Sequence, residues 1–344
     1  MSVSVIFFFF LTYAFTGGVC MKRILIIIAA IIFICLFIPL TIVLLMGQSV
    51  DNSKPFPAPE TARTVKVFNH ISGTVEEMDI NNYLTGVVAA EMPVDFEIEA
   101  LKAQSVAART YMTSHLYDFD SGNIDDAHTN AAICTDSTHC QAYVNEKDFK
   151  AKRENADEKW DKFKTAVQST SDEIITYKNK PISAVFFSTS SGKTENAEDV
   201  WGREIPYLKS VKSKGDELSP RYTSEKNLSV EEFYKTISQK YPDANISKEP
   251  FANEVHTESG GIKSIEVYGI SISGTELRSL FELQSTNATL SLKDNTIKIS
   301  VKGFGHNVGM SQYGANYLAS EGKDYKHILK AYYSGVKINM LSVN

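Results

Sequence analysis

Cysteine is scarce in this chain. Two of its four cysteines, Cys20 and Cys35, lie in an apolar N-terminal stretch, and the remaining pair cannot staple a small secreted scaffold. The nucleophile elbow GxSxG and the HExxH helix motif are both absent, which removes ordinary serine hydrolases and ordinary zinc peptidases. Gly303-Phe304-Gly305-His306-Asn307-Val308-Gly309 lacks the GxGxxG spacing, so it is no dinucleotide fingerprint. Internal repeats, low-complexity tracts and a βαβ rhythm are missing too. Positive charge is in deficit, with 35 basic against 41 acidic residues and a formal net charge of −6. A nucleic acid or an anionic lipid surface is a poor partner for such a protein.

What is present begins with hydrophobicity. Ile24 to Met46 is an uncharged apolar run of 23 residues, long enough to cross a bilayer as a helix. Lys22 and Arg23 precede it and no acidic residue does, so the positive-inside bias puts the N-terminus in the cytoplasm and the rest outside. A cleavable signal peptide would have a shorter apolar region and a small-residue cleavage site, which "LLMGQSV" supplies poorly. The expected organisation is residues 1–20 as an over-extended gene start, 21–47 as a single-pass membrane anchor, 48–64 as a proline-rich linker and 65–344 as one extracytoplasmic domain. Pro55, Pro57 and Pro59 make the linker a stiff, extended spacer.

Within the domain, Val65 to Phe68 alternates as a strand and Gly73 marks a turn. Ile80, Tyr83, Leu84, Val87 and Val88 recur at helical spacing, and Pro93 requires that helix to stop near Glu91. A longer helix follows over 97–116. Asp118 to Asp126 has the look of a calcium loop, but Asn123 and Thr129 stand where glycine and glutamate are needed, which makes it a solvated loop. Further expectations are a helix over 159–170, a hairpin around Lys178-Asn179-Lys180, a Ser229/Glu232 capping box, and strand pairs over 262–272 and 289–301 with a turn at Asp294-Asn295. A helix, "YKHILKAYY", closes the chain. Helices and antiparallel strand pairs are interspersed, so the fold class is α+β.

Four groups of residues can carry chemistry. Glu91 continues the apolar stripe of its helix, seven residues after Leu84 and eleven after Ile80, and it lies in the last turn. Burial and the negative end of the helix dipole both push its pKa upward, as a general acid near neutral pH requires. The bland alternative is a helix end at which Glu91 meets solvent, Lys102 or Arg109. His128, Cys134, His139 and Cys140 make a ligand set for tetrahedral zinc, while a Cys134–Cys140 disulfide is equally compatible with the spacing. The glycines around His306 let backbone approach something closely, or simply form a tight turn. "STSSGKTENAEDVW" is a polar loop ending in Trp201, of a kind that suits sugar binding and equally is only a loop.

Taken together these segments resemble the stage II sporulation protein D family. The likeness is carried by "YLTGVVAAEMPVDFEIEALKAQSVAARTYM", "CTDSTHCQAY", "STSSGKTENAEDVWGREIPYLKSV" and "GFGHNVGMSQYGANYLASEGKDYKHILKAYYSGV", over roughly residues 65–340. The chain departs from the family pattern at Phe304, where tryptophan is common, and at Asn307 and Ser191, where glycine is usual. The resemblance implies a membrane-tethered peptidoglycan lytic transglycosylase of engulfment, with Glu91 as the catalytic acid. It implies a glycan groove lined by Ser188, Ser190, Gly192, Lys193, Gly305, His306 and Gln312. It also tilts the Cys/His cluster toward a structural zinc held by His128, Cys134, His139 and Cys140, because His139 lies inside a family-like block. The partners implied are peptidoglycan glycan strands, an amidase and membrane proteins of the engulfment complex.

Overall fold

The computed structural model describes Ile28, residues 64–120, His128 and residues 130–341. Two compact units divide at Lys54 and Pro55, and the described residues from 64 onward belong to the second. The expected anchor, the linker and most of the calcium-like loop lie outside the described residues. Among the described residues, no helix is long and apolar enough to cross a membrane.

Strands β1 (Thr64–Asn69) and β2 (Thr74–Asp79) form an antiparallel hairpin turned at Gly73, which takes the left-handed φ of +70° that glycine tolerates. Asp79 then caps helix α1 (Ile80–Glu91), its carboxylate accepting from Asn82 N–H. Met92 is extended at φ −118°, as a residue before proline must be, and the helix ends there. Helix α2 (Ile98–Asp120) runs four residues past its expected end. The two-residue strand β3 (Ile133–Cys134) joins β1 in parallel, giving the order β2-β1-β3.

Helices α3 (Glu146–Ala151) and α4 (Ala156–Gln168) lead into β4 (Glu173–Tyr177) and β5 (Lys180–Pro181). Lys178 and Asn179 both take positive φ, the geometry of a two-residue hairpin turn. The following strand β6 (Phe186–Phe187) leaves that hairpin and pairs elsewhere. A short helix α5 (Ala197–Trp201) comes next, then a single 3₁₀ turn, Asp216–Leu218.

The chain then builds β7 (Thr223–Ser229), α6 (Val230–Lys240), β8 (Ala252–His256), β9 (Ile262–Val267), β10 (Ile270–Ser273), α7 (Gly274–Leu280), β11 (Ala288–Lys293) and β12 (Thr296–Lys302). They make two antiparallel sheets, ordered β10-β9-β8 and β11-β12-β7. Phe233, Ile265, Phe281, Ile297 and Ile299 form a core of their own there, with Phe233 and Phe281 stacked at 4.5 Å.

Strand β13 (Met310–Ser311) pairs in parallel with β6, helices α8 (Gln312–Ser320) and α9 (Tyr325–Tyr332) follow, and β14 (Lys337–Met340) completes the β14-β4-β5 sheet. The main core therefore joins residues from both ends of the domain, from Val65 to Val336, around α1 and α2. The α+β reading with antiparallel strand pairs agrees with this architecture.

Candidate functional site

Helix α1 buries Tyr83 through Ala89 and presents Glu91 at its C-terminal end. The Glu91 carboxylate is half-buried, and its Oε1 accepts a hydrogen bond of 2.9 Å from Ala142 N–H. Gln312, only 5% exposed, turns its amide to the same carboxylate. The Nε2 atom is close enough to lower the pKa but does not complete a well-aligned bond. Desolvation outweighs both donors, so the Glu91 pKa stands above the ordinary carboxylate value. Among the described residues, no charged side chain belongs to the groups that set it.

The cations of the bland alternative are engaged elsewhere. Lys102 pairs with Glu99 at 2.7 Å. Arg109 is buried and donates to the carbonyls of Val167 and Thr170 at 3.0 and 2.7 Å, closing the C-terminal end of α4. Desolvation lowers its pKa to about 10.

Two segments hold Glu91 in place. Residues 93–97 follow it, with Lys162 Nζ donating to the carbonyls of Val94 and Phe96. Helix α8 docks on this loop through Phe96 against Tyr313 and through Asn316, which accepts from Glu97 N–H. Gln312 is the first residue of α8, so the same docking brings it to Glu91. The second segment is 140–144, laid along α1: Tyr143 stacks on Tyr83, and Val144 N–H donates to the Gly86 carbonyl. A Cβ at Gly86 would lie 2.4 Å from the Tyr143 ring and 2.5 Å from Val144 O. Mid-helix glycine costs about 1 kcal/mol against alanine, and here it admits the strand of chain that carries Ala142.

That segment leaves directly from the Cys/His cluster. Cys134 sits on β3 beside Phe68. A turn closed by Asp136, whose carbonyl accepts from His139 and Cys140 N–H and whose carboxylate accepts from Thr138, brings the later ligands back over Cys134. The donor atoms of His128, Cys134, His139 and Cys140 all lie within 4.8 Å of one another. Individual pairs measure 3.3 Å (Cys140 Sγ to His139 Nδ1), 3.5 Å (Cys140 Sγ to His128 Nε2) and 3.6 Å (Cys134 Sγ to His139 Nδ1). A tetrahedral zinc with bonds of about 2.0–2.3 Å separates its ligands by roughly 3.5 Å, so the set fits that ion. His128 Nδ1 donates to Ala131 O at 2.8 Å, which frees Nε2 to face the cluster. The two thiols are not joined in a disulfide.

The remaining sequence candidates lie on two laced loops. Ser188, Ser190, Gly192 and Lys193 follow β6, and Gly305 and His306 precede β13. Thr189 and Phe304 exchange backbone hydrogen bonds between the loops, and Glu195 N–H donates to Asn307 O. Ser190 is buried, Gly192 is exposed, and Lys193 pairs with Glu258 from the β8–β9 turn. His306 Nε2 donates to Phe186 O at 3.0 Å while Nδ1 accepts from Val308 N–H at 3.1 Å, so both ring nitrogens serve the backbone. Burial, with Arg278 nearby, lowers its pKa to about 4. Trp201 packs against the ring at 5.5 Å and remains 45% exposed. The structure thus brings Glu91 and the metal-type cluster together through 140–144, adds Gln312 through the docking of α8 on 93–97, and places His306 and the serine loop along β6 and β13.

Sequence reasoning missed Ala142, Gly86, Glu195 and Asp216. A backbone N–H leaves no sequence signal. Asp216 follows a glycine in the polar stretch "KSKGDELS" and reads as loop, yet it is fully buried.

The comparisons with known proteins bear on the same segments. A family model described as SpoIID, stage II sporulation protein, matches residues 69–177, which include Glu91 and all four residues of the cluster. Stage II sporulation protein D of Bacillus amyloliquefaciens is 38% identical over 284 residues, covering 81% of this chain and 80% of that protein. Its namesake from Bacillus subtilis (strain 168) is 36% identical over 307 residues, covering 85% and 87%. A protein of B. subtilis named amidase enhancer is 26% identical over 307 residues, covering 74% of this chain and 40% of its own length. Identity at this level across most of both sequences means that the chain belongs to the stage II sporulation protein D family.

Proposed function

We propose that the protein is a membrane-anchored lytic transglycosylase that cleaves peptidoglycan glycan strands during sporulation, with Glu91 as its single acid and base. The observation that carries this reading is a desolvated carboxyl group that accepts from the Ala142 N–H, has the uncharged Gln312 amide beside it and, among the described residues, no charged side chain acting on it. Glycoside hydrolysis ordinarily needs two carboxyls, one as acid and one as base or nucleophile. Intramolecular transfer needs only one.

In the proposed reaction, protonated Glu91 gives its proton to the oxygen linking N-acetylmuramic acid to N-acetylglucosamine, and the bond to the muramyl C1 breaks. The resulting carboxylate accepts hydrogen bonds from Ala142 N–H and the Gln312 amide. It then takes the proton of the muramyl C6 hydroxyl, whose oxygen attacks C1 and closes the 1,6-anhydro ring. Glu91 ends the cycle protonated and no water is consumed. Raising its pKa by desolvation keeps the acid form populated nearer neutral pH.

A zinc ion in the Cys/His cluster would be structural, since four protein ligands leave no open position. His128, Cys134, His139 and Cys140 would hold it, and bound there it supplies cross-linking rather than Lewis acidity. Fixing Cys140 also fixes Ala142 two residues later. The apolar run 24–46 would hold the protein at the cell membrane with the catalytic domain outside. An amidase that strips stem peptides fits as a partner in the engulfment machinery.

A second reading, a glycan-binding scaffold that assists an amidase without cutting, is favoured by the name of the 26% identical relative. One experiment separates them. Purified protein incubated with glycan strands freed of stem peptides should release anhydro-ended fragments, and Glu91→Gln should slow that release by about 10²–10⁴-fold. Equal rates for the two proteins, or no anhydro ends from wild type, would leave the scaffold.

A further inference from the structure

Asp216 is fully buried, and among the described residues no cation belongs to the groups acting on it. Its carboxylate instead gathers donors from three separate segments. Ser190 N–H reaches Oδ1 at 2.6 Å from the loop after β6. Ser213 Oγ donates to Oδ2 from the segment before the 3₁₀ turn, and in turn receives the Tyr332 hydroxyl of α9 at 2.8 Å. Ser311 Oγ donates to Oδ1 from the start of α8.

The Ser311 contact matters because Ser311 is also the N-cap of α8, accepting from Gly314 N–H at 3.3 Å. The next residue is Gln312. The first turn of α8 is pressed against the network: a Cβ at Gly314 would lie 2.0 Å from the Tyr332 hydroxyl and 2.3 Å from Ser213 Oγ. Tyr313 N–H adds a bond to Ser188 O at 3.1 Å. A carboxylate suits this position because it alone accepts from every side and donates to none. Asparagine would aim an amide N–H at a hydroxyl that is itself donating.

We propose that Asp216 is a positioning residue for the acid: through Ser311 it fixes the first turn of α8 and so holds the Gln312 amide against Glu91. This rests on the reading of Glu91 as the proton donor. Ionisable neighbours of Asp216 are Glu217, Tyr222 and Tyr332, while Glu91 has none among the groups that set its pKa. Removing a donor from a carboxylate raises its pKa. Loss of Asp216 therefore acts on Glu91 in the same direction as loss of Gln312.

The test follows the Glu91 carboxyl by NMR in the full-length chain labelled with ¹³C-glutamate, its resonance identified by its disappearance in Glu91→Gln. Gln312→Ala and Asp216→Asn should each move the Glu91 titration to higher pH, and the double variant should move it no further than Gln312→Ala alone. An Asp216→Asn protein that titrates like wild type, or effects that add in full, would overturn the proposal. Should Asp216→Asn fail to fold, Ser311→Ala, which removes one hydroxyl of the network, decides by the same readout.

Cleavage assays keep the two claims apart. Asp216→Asn should release anhydro ends roughly tenfold more slowly, as expected for a misplaced catalytic partner. Coupled titrations without anhydro products from wild type would remove the transglycosylase reading and leave the positioning role. Normal cleavage with uncoupled titrations would do the reverse.

Discussion

The core around α1 and α2 draws residues from Val65 to Val336, whereas the second core is assembled wholly from residues between 228 and 301. The second follows local rules closely. Both of its helices begin with complete capping boxes, Ser229 with Glu232 and Ser273 with Glu276. Among the described residues of 223–302, only Ser285 and Thr286 are buried polar groups. The main core breaks those rules repeatedly, burying Arg109, Glu195 and Asp216, half-burying Glu91 and placing Gly86 in mid-helix. Rule-breaking concentrated in one region is the signature of a site, and the compensating contacts identify what is being held. Here they hold a carboxyl group, an amide and a metal-type cluster in one neighbourhood.

The strongest way to break this contrast is to remove the cross-link that a zinc ion held by His128, Cys134, His139 and Cys140 would make. Apparent zinc-binding free energies of small structural sites are about 10–16 kcal/mol, so chelation of the zinc-loaded protein, or Cys140→Ala in it, should destabilise the main core by several kcal/mol. Hydrogen exchange should rise along α1 and residues 130–144 and stay unchanged in β9 through β12. Equal acceleration in both regions would mean the cores are one cooperative unit and the contrast is only compositional.

Next in size is the converse perturbation. Phe233 is fully buried and stacked on Phe281, so Phe233→Ala should cost about 3–5 kcal/mol. Its denaturation midpoint should fall while the Glu91 titration stays where wild type has it. A moved Glu91 titration would show that the second core props the site, by way of contacts such as Lys193 with Glu258 or Glu195 with Thr257.

Much of the regular structure was legible in the sequence, because period and capping are local. Helix α1 ends where Pro93 requires, the Ser229 box begins α6, and Asp294-Asn295 turns β11 into β12. The hairpin at Lys178-Asn179 formed, but β6 left it for β13, a pairing across more than 120 residues that no local pattern announces. The partition into two cores was equally invisible, since apolar periodicity says which face is buried and not against what. At the site, the stripe position of Glu91 was readable, and so was the grouping of His128, Cys134, His139 and Cys140, whose donor atoms the fold gathers within 4.8 Å of one another. Ala142 and Asp216 were not, because one acts through its backbone and the other looks like a solvated turn.

The smallest expected effect sharpens the contrast most narrowly, by asking what the buried acid costs the fold. Desolvation raises the folded-state pKa of Glu91 above the ordinary 4.5, so the folded protein binds a proton more tightly than the unfolded chain. Stability tied to that proton is fully present below pH 4.5 and is lost as pH rises through the folded pKa. Glu91→Gln keeps an acceptor for Ala142 N–H and never ionises. Its melting temperature should match wild type near pH 4 and exceed it at pH 8, by less than either change above. Glu195 and Asp216, whose pKa values burial also raises, are present in both proteins and cancel in the difference. A variant less stable than wild type at pH 8 would mean that the Glu91 carboxylate is stabilised rather than strained by its surroundings, and the acid role would lose its physical basis.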